Sequence, residues 1–400
     1  MPSPDKTIAV INASGRQAAS LIRIATAVGF KVHAQLRNLE GVIATEVRTN
    51  PNVTVFVGEL YIRKKDDKQD VTAYGDLPGI LVNHSLITEL FHGAQLAFIN
   101  TTFYGNELQI GQAIADAAKK AGVQHYVYSS MPDHAKYNSA WPSLPLWAAK
   151  HEVEEYVRKI GLPATFVYTG IYNNNFTSLP YPLFCMELKL DGSFEWQAPF
   201  HPDAKLPWLD AEHDVGPAVI QLFKDGPGKW NGKRIALAYE YLSPIEACRA
   251  FERGVGRPVR YKRGSIEVKV KIPDGYREQL QALEKLFSPY NDDLTQQPPY
   301  FGDRELDNRC PGDALALWEG PRGLEEYARE IFPMEEEANG MIWMLDDEDD
   351  CTCEHPGLAP TIPEARESRA ILGEGDGDDE SIDEGLVMRG LKRDEEDWLA

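Results

Sequence analysis

No apolar run in this 400-residue sequence reaches the ~18 residues that a membrane-spanning helix requires, and the N-terminus lacks a basic-then-apolar signal segment. The expectation is a soluble intracellular chain with no membrane partner. Cysteine is sparse: Cys185, Cys248, Cys310, Cys351 and Cys353 are odd in number and follow no framework spacing, which favours reduced thiols over disulfides. Positive charge is also short. The formal net charge is −21, and 19 Asp/Glu against 5 Lys/Arg place −14 of it in residues 346–400. Phosphates need a basic face, so no direct DNA binding is expected, whereas a basic protein partner suits such a chain. The acidic tail 346–400 has few aromatics and many Gly, Asp and Glu; it buries too little apolar surface to offset the entropy of ordering and reads as disordered. Within it Cys351, Cys353 and His355 are tightly spaced and lack a fourth ligand, so they read as no metal site.

Glycine is scarce at the one place where it matters most. Thr7 to Ile11 makes a short buried strand, and from Arg16 to Val28 the apolar residues Leu21, Ile22, Ala25 and Val28 recur with the spacing of one helix face. A strand turning into a helix collects unpaired backbone N–H groups and the positive end of the helix dipole at one spot, which suits a pyrophosphate. Dinucleotide folds usually build that turn as G-x-G-x-x-G, for a tight turn and close backbone approach. Only Gly15 is present here, with Asn12 first and Ala18 last. Asn tolerates left-handed backbone angles and Ala still permits close packing. Asn12, Ala13, Ser14, Gly15, Arg16 and Gln17 are therefore candidate cofactor-binding residues.

The alternation continues. Strands are read at Lys31–Arg37, Val53–Val57, Leu96–Asn100, His125–Ser129 and Ala164–Tyr168, with helical patterns at Gly41–Thr49, Ser85–Phe91, Leu108–Ala121 and Ala148–Ile160. This implies an α/β fold, a Rossmann-type doubly wound parallel sheet, with ligands at the carboxyl ends of the strands. A dinucleotide-binding domain over residues 6–175 follows, interrupted by a polar loop insertion at 62–82. The insertion is placed where it could crowd the adenine side. At the strand ends stand Asn100, Thr101 and Thr102, then Met131, then Tyr172 and Asn173, all further candidates for cofactor contact. After the second strand comes Arg37, with no acidic residue before Glu40. An acid there would take a ribose 2′-hydroxyl, whereas an Arg accepts a 2′-phosphate, so NADP, or both NADP and NAD, is expected. Beyond residue 176 the readable elements are a strand at Arg234–Tyr239 and helices near Pro244–Gly254 and Tyr276–Phe287.

Several long words in the chain carry a resemblance: Asn-Ala-Ser-Gly-Arg-Gln-Ala-Ala-Ser at 12–20, Tyr-Ser-Ser-Met-Pro-Asp-His at 128–134, Gly-Ile-Tyr-Asn-Asn-Asn-Phe-Thr-Ser-Leu-Pro-Tyr-Pro-Leu-Phe at 170–184, Trp-Leu-Asp-Ala-Glu-His-Asp-Val-Gly-Pro at 208–217, and Glu-Glu-Glu-Ala-Asn-Gly-Met-Ile-Trp-Met-Leu at 335–345. Over residues 6–345 the sequence resembles the NmrA-like family of fungal nitrogen metabolite repression regulators, within the atypical short-chain dehydrogenase/reductase superfamily. The resemblance implies that superfamily's fold without its activity, with a smaller C-terminal α/β lobe at 176–345 that binds the partner. It implies binding of NAD and NADP, oxidised forms preferred, and restraint of a GATA-type transcription factor through its zinc-finger region and extreme C-terminus, in nucleus and cytoplasm. Asp191, Glu195, Asp203, Asp210 and Glu212 are candidates for the acidic partner surface. The tail after Leu345 and the 62–82 insertion depart from the family pattern.

Reductases of the superfamily pair a Tyr acid with a Lys four residues later and add a Ser after the fifth strand. Lys150 matches the retained Lys, a ribose contact. Leu146 stands four residues before it, and Met131 follows Ser129-Ser130. Neither can donate a proton. The competing reading is an NAD(P)H-dependent reductase of the isoflavone-reductase-like kind, acting on a carbonyl or enone, with Tyr172, His134 or His151 as a relocated acid.

Overall fold

A computed structural model describes residues 6–63, 79–177, 184–268, 272, 274–288, 293–294 and 297–338. The acidic tail, its Cys351/Cys353/His355 cluster and most of the 62–82 insertion lie outside the described residues.

The alternation read from the sequence folds as a seven-stranded parallel sheet. Its first half runs β1 (Thr7–Val10), α1 (Arg16–Ala27), β2 (Lys31–Leu36), α2 (Val42–Thr49), β3 (Val53–Val57), a small hairpin of β4 (Tyr61–Arg63) and β5 (Ile80–Val82), and α3 (His84–Phe91). Then follow β6 (Leu96–Ile99), α4 (Glu107–Ala121), β7 (His125–Ser130), α5 (Pro145–Ile160), β8 (Ala164–Thr169) and β9 (Ile171–Tyr172). The second half holds β10 (Met186–Leu188), β11 (Phe194–Ala198), β12 (Leu206–Leu209), α6 (Ala211–Asp225), α7 (Pro227–Trp230), β13 (Arg234–Leu237), β14 (Glu240–Leu242), α8 (Pro244–Val255) and β15 (Val259–Arg263). It closes with α9 (Asp274–Phe287), α10 (Arg304–Arg309), α11 (Gly312–Leu315), α12 (Leu324–Glu330) and α13 (Phe332–Ala338).

Sheet order is β13-β8-β7-β6-β1-β2-β3, so the chain reverses direction across the sheet beside β1. Ligands of open parallel sheets settle at such a reversal, outside the carboxyl ends. Alternate residues of β1 point to opposite faces: Ile8 and Val10 join a core with Leu21, Ile22, Val215 and Val219, while Ala9 and Ile11 join one with Ile114, Val153, Trp196 and Trp208. Helix ends follow local chemistry. Asn106 accepts a hydrogen bond from the Gln109 N–H, and Gly122 ends α4 in the left-handed conformation.

The sheet does not close with the segment before residue 175. Its outer strand β13 pairs with β8, and α6 packs against α1, so residues 211–237 return to the seven-stranded sheet and its flanking helices. The lobe itself is built from two three-stranded sheets, β10-β11-β15 and β14-β12-β9, around Phe176, Trp196, Trp208 and Phe251. Those aromatics are core. Of the acidic residues read as a partner surface, Asp191, Glu195, Asp203 and Glu212 lie wholly or partly on the outside, but one is corrected by the fold. Asp210 is buried, capping α6 and pairing with Arg322 at 3.1 Å; the half-buried Glu212 is tied to Arg16 at 2.5 Å.

Candidate functional site

The turn after β1 is held by its neighbours. Asn12 takes φ of 48°, the left-handed region that Asn enters more readily than other side-chain-bearing residues. Its backbone N–H donates to Gln35 Oε1 at 2.9 Å and its side-chain Nδ2 donates to the Asn100 carbonyl at 2.6 Å, fixing the turn to β2 and to the end of β6. Ala13 N–H donates to the Gln35 carbonyl at 2.9 Å. Gly15 then opens α1, whose first turn has no side-chain cap and no acidic residue. The positive end of the helix is therefore offset by no acidic residue of its own first turn.

Beside this turn is a cavity of about 200 Å³. Seven of the residues read from the sequence share its wall: Gln17, Asn100, Thr101, Thr102, Met131, Lys150 and Tyr172. Leu146 and Trp147 from α5 and Tyr276 and Leu283 from α9 add an apolar side. Lys150 Nζ hydrogen bonds to the Thr101 carbonyl and pairs with Glu107 Oε1 at 3.0 Å. Leu146 faces the cavity where a proton donor belongs in a reductase, its backbone N–H held by Gln279 Oε1 at 3.0 Å.

A second cleft, only about 10 Å³, is lined by Asn12, Gln35, Arg37, Tyr61, Thr102 and Tyr104, among others. Arg37 lies over the Tyr104 ring, 5.4 Å from its centroid. Tyr61 opens the hairpin that leads into the insertion and packs so tightly on Gly105 that a Cβ there would lie 2.9 Å from its ring. Tyr61, just before the insertion, thus helps to narrow this cleft.

Two of the candidates are turned elsewhere. The Arg16 guanidinium meets Glu212 at 2.5 Å and Glu335 at 3.1 Å, so only its backbone belongs to the turn. Asn173 is fully buried beyond β9, and neither side-chain polar atom has a partner among the described residues. Ala13, Ser14 and Gly15 form the turn itself. The three residues offered as replacement acids fare differently. His134 Nε2 donates to the Pro299 carbonyl, 2.9 Å away, and burial pushes it down to about 4. His151 lines a surface groove with Tyr137 and Arg234 instead of the cavity. Tyr172 does reach the cavity, but burial raises its phenol and Gln17 Nε2 donates to it. Glu107, Gln35 and Tyr104 were not among the sequence candidates. Glu107 carried one signal, an acid directly after a helix-capping Asn and six residues past a strand-end Thr.

The model of the NmrA-like family matches residues 4–328. The chain belongs to the NmrA-like family. Within it, the nitrogen metabolite repression protein nmr of Neurospora crassa is 65% identical over 100% of this chain and 88% of its own. The nitrogen metabolite repression protein nmrA of Emericella nidulans is 52% identical over 86% of this chain and 100% of its own. A crystal structure of NmrA, a negative transcriptional regulator, in complex with NAD aligns with TM-score 0.76 and 55% identity, covering 86% of this chain and 100% of that one. Another, in complex with NADP, aligns with TM-score 0.75 and 54% identity over 86% and 100%. The NmrA-like turn, with Asn12 and Ala18 in place of two glycines, thus lies in the same kind of sheet as structures solved with dinucleotide bound.

Proposed function

We propose that this chain is a non-enzymatic, NAD- and NADP-binding negative regulator of nitrogen-catabolic transcription, acting in nucleus and cytoplasm by holding the zinc-finger region and C-terminus of a GATA-type activator. The observation that carries it is the cavity wall: Leu146 and Met131 face the position of the missing acid, and Lys150 is spent on Glu107 and Thr101. A bound nicotinamide can accept or give a hydride, but a carbonyl substrate also needs a proton, and the two positions from which reductases of the superfamily supply and support it are Leu146 and Met131 here. The residues suit the dinucleotide itself. The uncapped start of α1 offers N–H groups for the pyrophosphate, and Gln17 Oε1, on the cavity wall, is a buried polar atom without a partner among the described residues. The solved NAD and NADP complexes of close relatives support the same reading.

Calorimetric titration with NAD+, NADP+, NADH and NADPH separates regulator from reductase. Tighter oxidised forms and no turnover on carbonyls are expected; tighter NADPH with ketone-dependent consumption that vanishes in Lys150→Met overturns the reading. A pull-down of the GATA zinc-finger and C-terminal segments, with and without NAD+, tests the partner. Arg37 gives a finer prediction. Losing a charge-assisted contact to a 2′-phosphate is worth about 1.5–3 kcal/mol, so Arg37→Ala raises the NADP+ dissociation constant at least ~10-fold and leaves NAD+ within ~2-fold. Equal losses for both would place Arg37 outside the ribose subsite.

A further inference from the structure

We infer that Glu107 gives the cavity its sensitivity to the charge of the nicotinamide ring, and so sets the ratio between oxidised and reduced dinucleotide. The inference rests on the dinucleotide reading above and adds a residue to it.

The two redox states differ at the ring by one positive charge. Beside a solitary lysine, the oxidised ring meets a like charge and the reduced ring does not; in a site of low dielectric that difference is large. Here the lysine is not solitary. Glu107 occupies the first turn of α4, where the helix dipole favours an anion, and its side chain is only 6% exposed. One carboxylate oxygen, Oε1, takes Lys150 Nζ at 3.0 Å and the Thr101 hydroxyl at 2.7 Å. That hydroxyl is in turn 2.9 Å from the Tyr128 phenol, so the carboxylate is anchored from the segment after β6, through it from β7, and from α5.

The other oxygen, Oε2, is buried and has no hydrogen-bond partner among the described residues. A buried carboxylate oxygen left unpaired is unfavourable, and a positive group brought near it removes part of that penalty. Glu107 belongs to the wall of the cavity shared by Lys150, Met131 and Tyr172. A cationic ring in that cavity therefore gains from Glu107, while a neutral ring gains nothing. Lys150 Nζ also lies 3.4 Å from Thr101 Oγ1, and its charge is already matched by Glu107. The pair converts a lysine that would favour the reduced cofactor into a neutral unit with an acidic side.

The test is the ratio of NADH to NAD+ dissociation constants, measured by calorimetry on the full chain at pH 8 for the parent and for Glu107→Gln. Gln keeps the shape and the Thr101 contact but removes the charge. The ratio is expected to fall by at least ~10-fold, through weaker NAD+ binding, which corresponds to about 1.4 kcal/mol. Glu107→Asp, which retains the carboxylate, should recover at least half of the loss on a logarithmic scale. A ratio unchanged within ~2-fold in Glu107→Gln overturns the inference while leaving the binding site intact. A parent that binds neither dinucleotide overturns the underlying reading instead. Should Glu107→Gln fail to fold, Lys150→Met carries the test with the opposite sign: the carboxylate is then unbalanced and the ratio rises, whereas a fall contradicts the assignment.

Discussion

Gly216→Val is expected to unfold more of this protein, and remove more of its nucleotide affinity, than any substitution in the cavity itself. Gly216 lies inside α6, where its N–H donates to Ser20 Oγ at 2.9 Å. A Cβ at this position would sit 2.4 Å from the Ser20 carbonyl oxygen and 2.6 Å from its carbon. Those are backbone atoms of α1, so no rotamer change relieves the clash; the helices must separate. Overpacking a core costs about 1–3 kcal/mol, and a backbone obstacle places this change at or above the top of that range. The melting temperature is expected to drop by roughly 6 °C or more. Because the turn proposed to hold the pyrophosphate lies at the start of α1, the NAD+ dissociation constant should rise at least ~10-fold in whatever remains folded. Gly228→Ala in α7, where an added Cβ meets nothing within 4 Å, is the control and should change stability by less than ~0.5 kcal/mol. A Gly216→Val protein that melts with its parent and binds NAD+ normally would show that the two helices are not held this closely.

The second large effect is acid lability between pH 6.5 and 4. His125 and His134 are fully buried, and each has one ring nitrogen without a partner among the described residues. Burial pushes both down to about 4, helped at His125 by Lys6 and opposed at His134 by the Pro299 carbonyl and Asp133. In the unfolded chain a histidine titrates near 6.5. Over that window the unfolded state binds more protons, so the contribution is complete above pH 6.5 and is lost as pH falls through 4. Each histidine is worth about 3 kcal/mol across it. Asp210 acts in the opposite direction. Burial and the neighbouring Asp214 push it up to about 6, so its contribution is present below its unfolded value and lost as pH rises through 6. That offsets roughly one histidine, leaving a net loss of about 3 kcal/mol on acidification. Urea denaturation at pH 7 and pH 4.5 should show it. In His134→Gln, whose amide can still donate to the Pro299 carbonyl, the loss between those two pH values should be smaller than the parent's by about 2 kcal/mol. Parallel pH profiles for parent and variant would mean that His134 is already charged in the fold.

Much of the site was legible because it is local. Period-two and period-3.6 patterns place β1, α1 and the strands after them within a residue or two, since those patterns reflect which face of a short segment meets the core. The same locality makes the strand-end candidates converge. In a parallel sheet every carboxyl end opens on one side, so Thr101, Met131, Lys150 and Tyr172 meet at one cavity although they come from different elements. The replacement of a proton donor by Leu146 needed only the register of one helix, counted from Lys150.

The remainder depended on partners far apart in sequence. Arg16 looks like a phosphate ligand until Glu212 and Glu335 are brought to it, and Asp210 looks like surface until α6 and Arg322 enclose it. Glu107 gains meaning only when Lys150 arrives from α5, and the cleft beside Asn12 is narrow because Tyr61 and Tyr104 line it with Arg37. The return of residues 211–237 to the sheet is likewise invisible in local periodicity. By itself, then, the sequence determined the parallel fold, the turn from β1 into α1 and the lack of a proton donor at 131 and 146, because each is a property of a short segment and its repeat. Tertiary structure alone decided which charges are free to meet a ligand, because an ion pair is defined by two side chains and the chain does not announce in advance which of its carboxylates will reach a given cation.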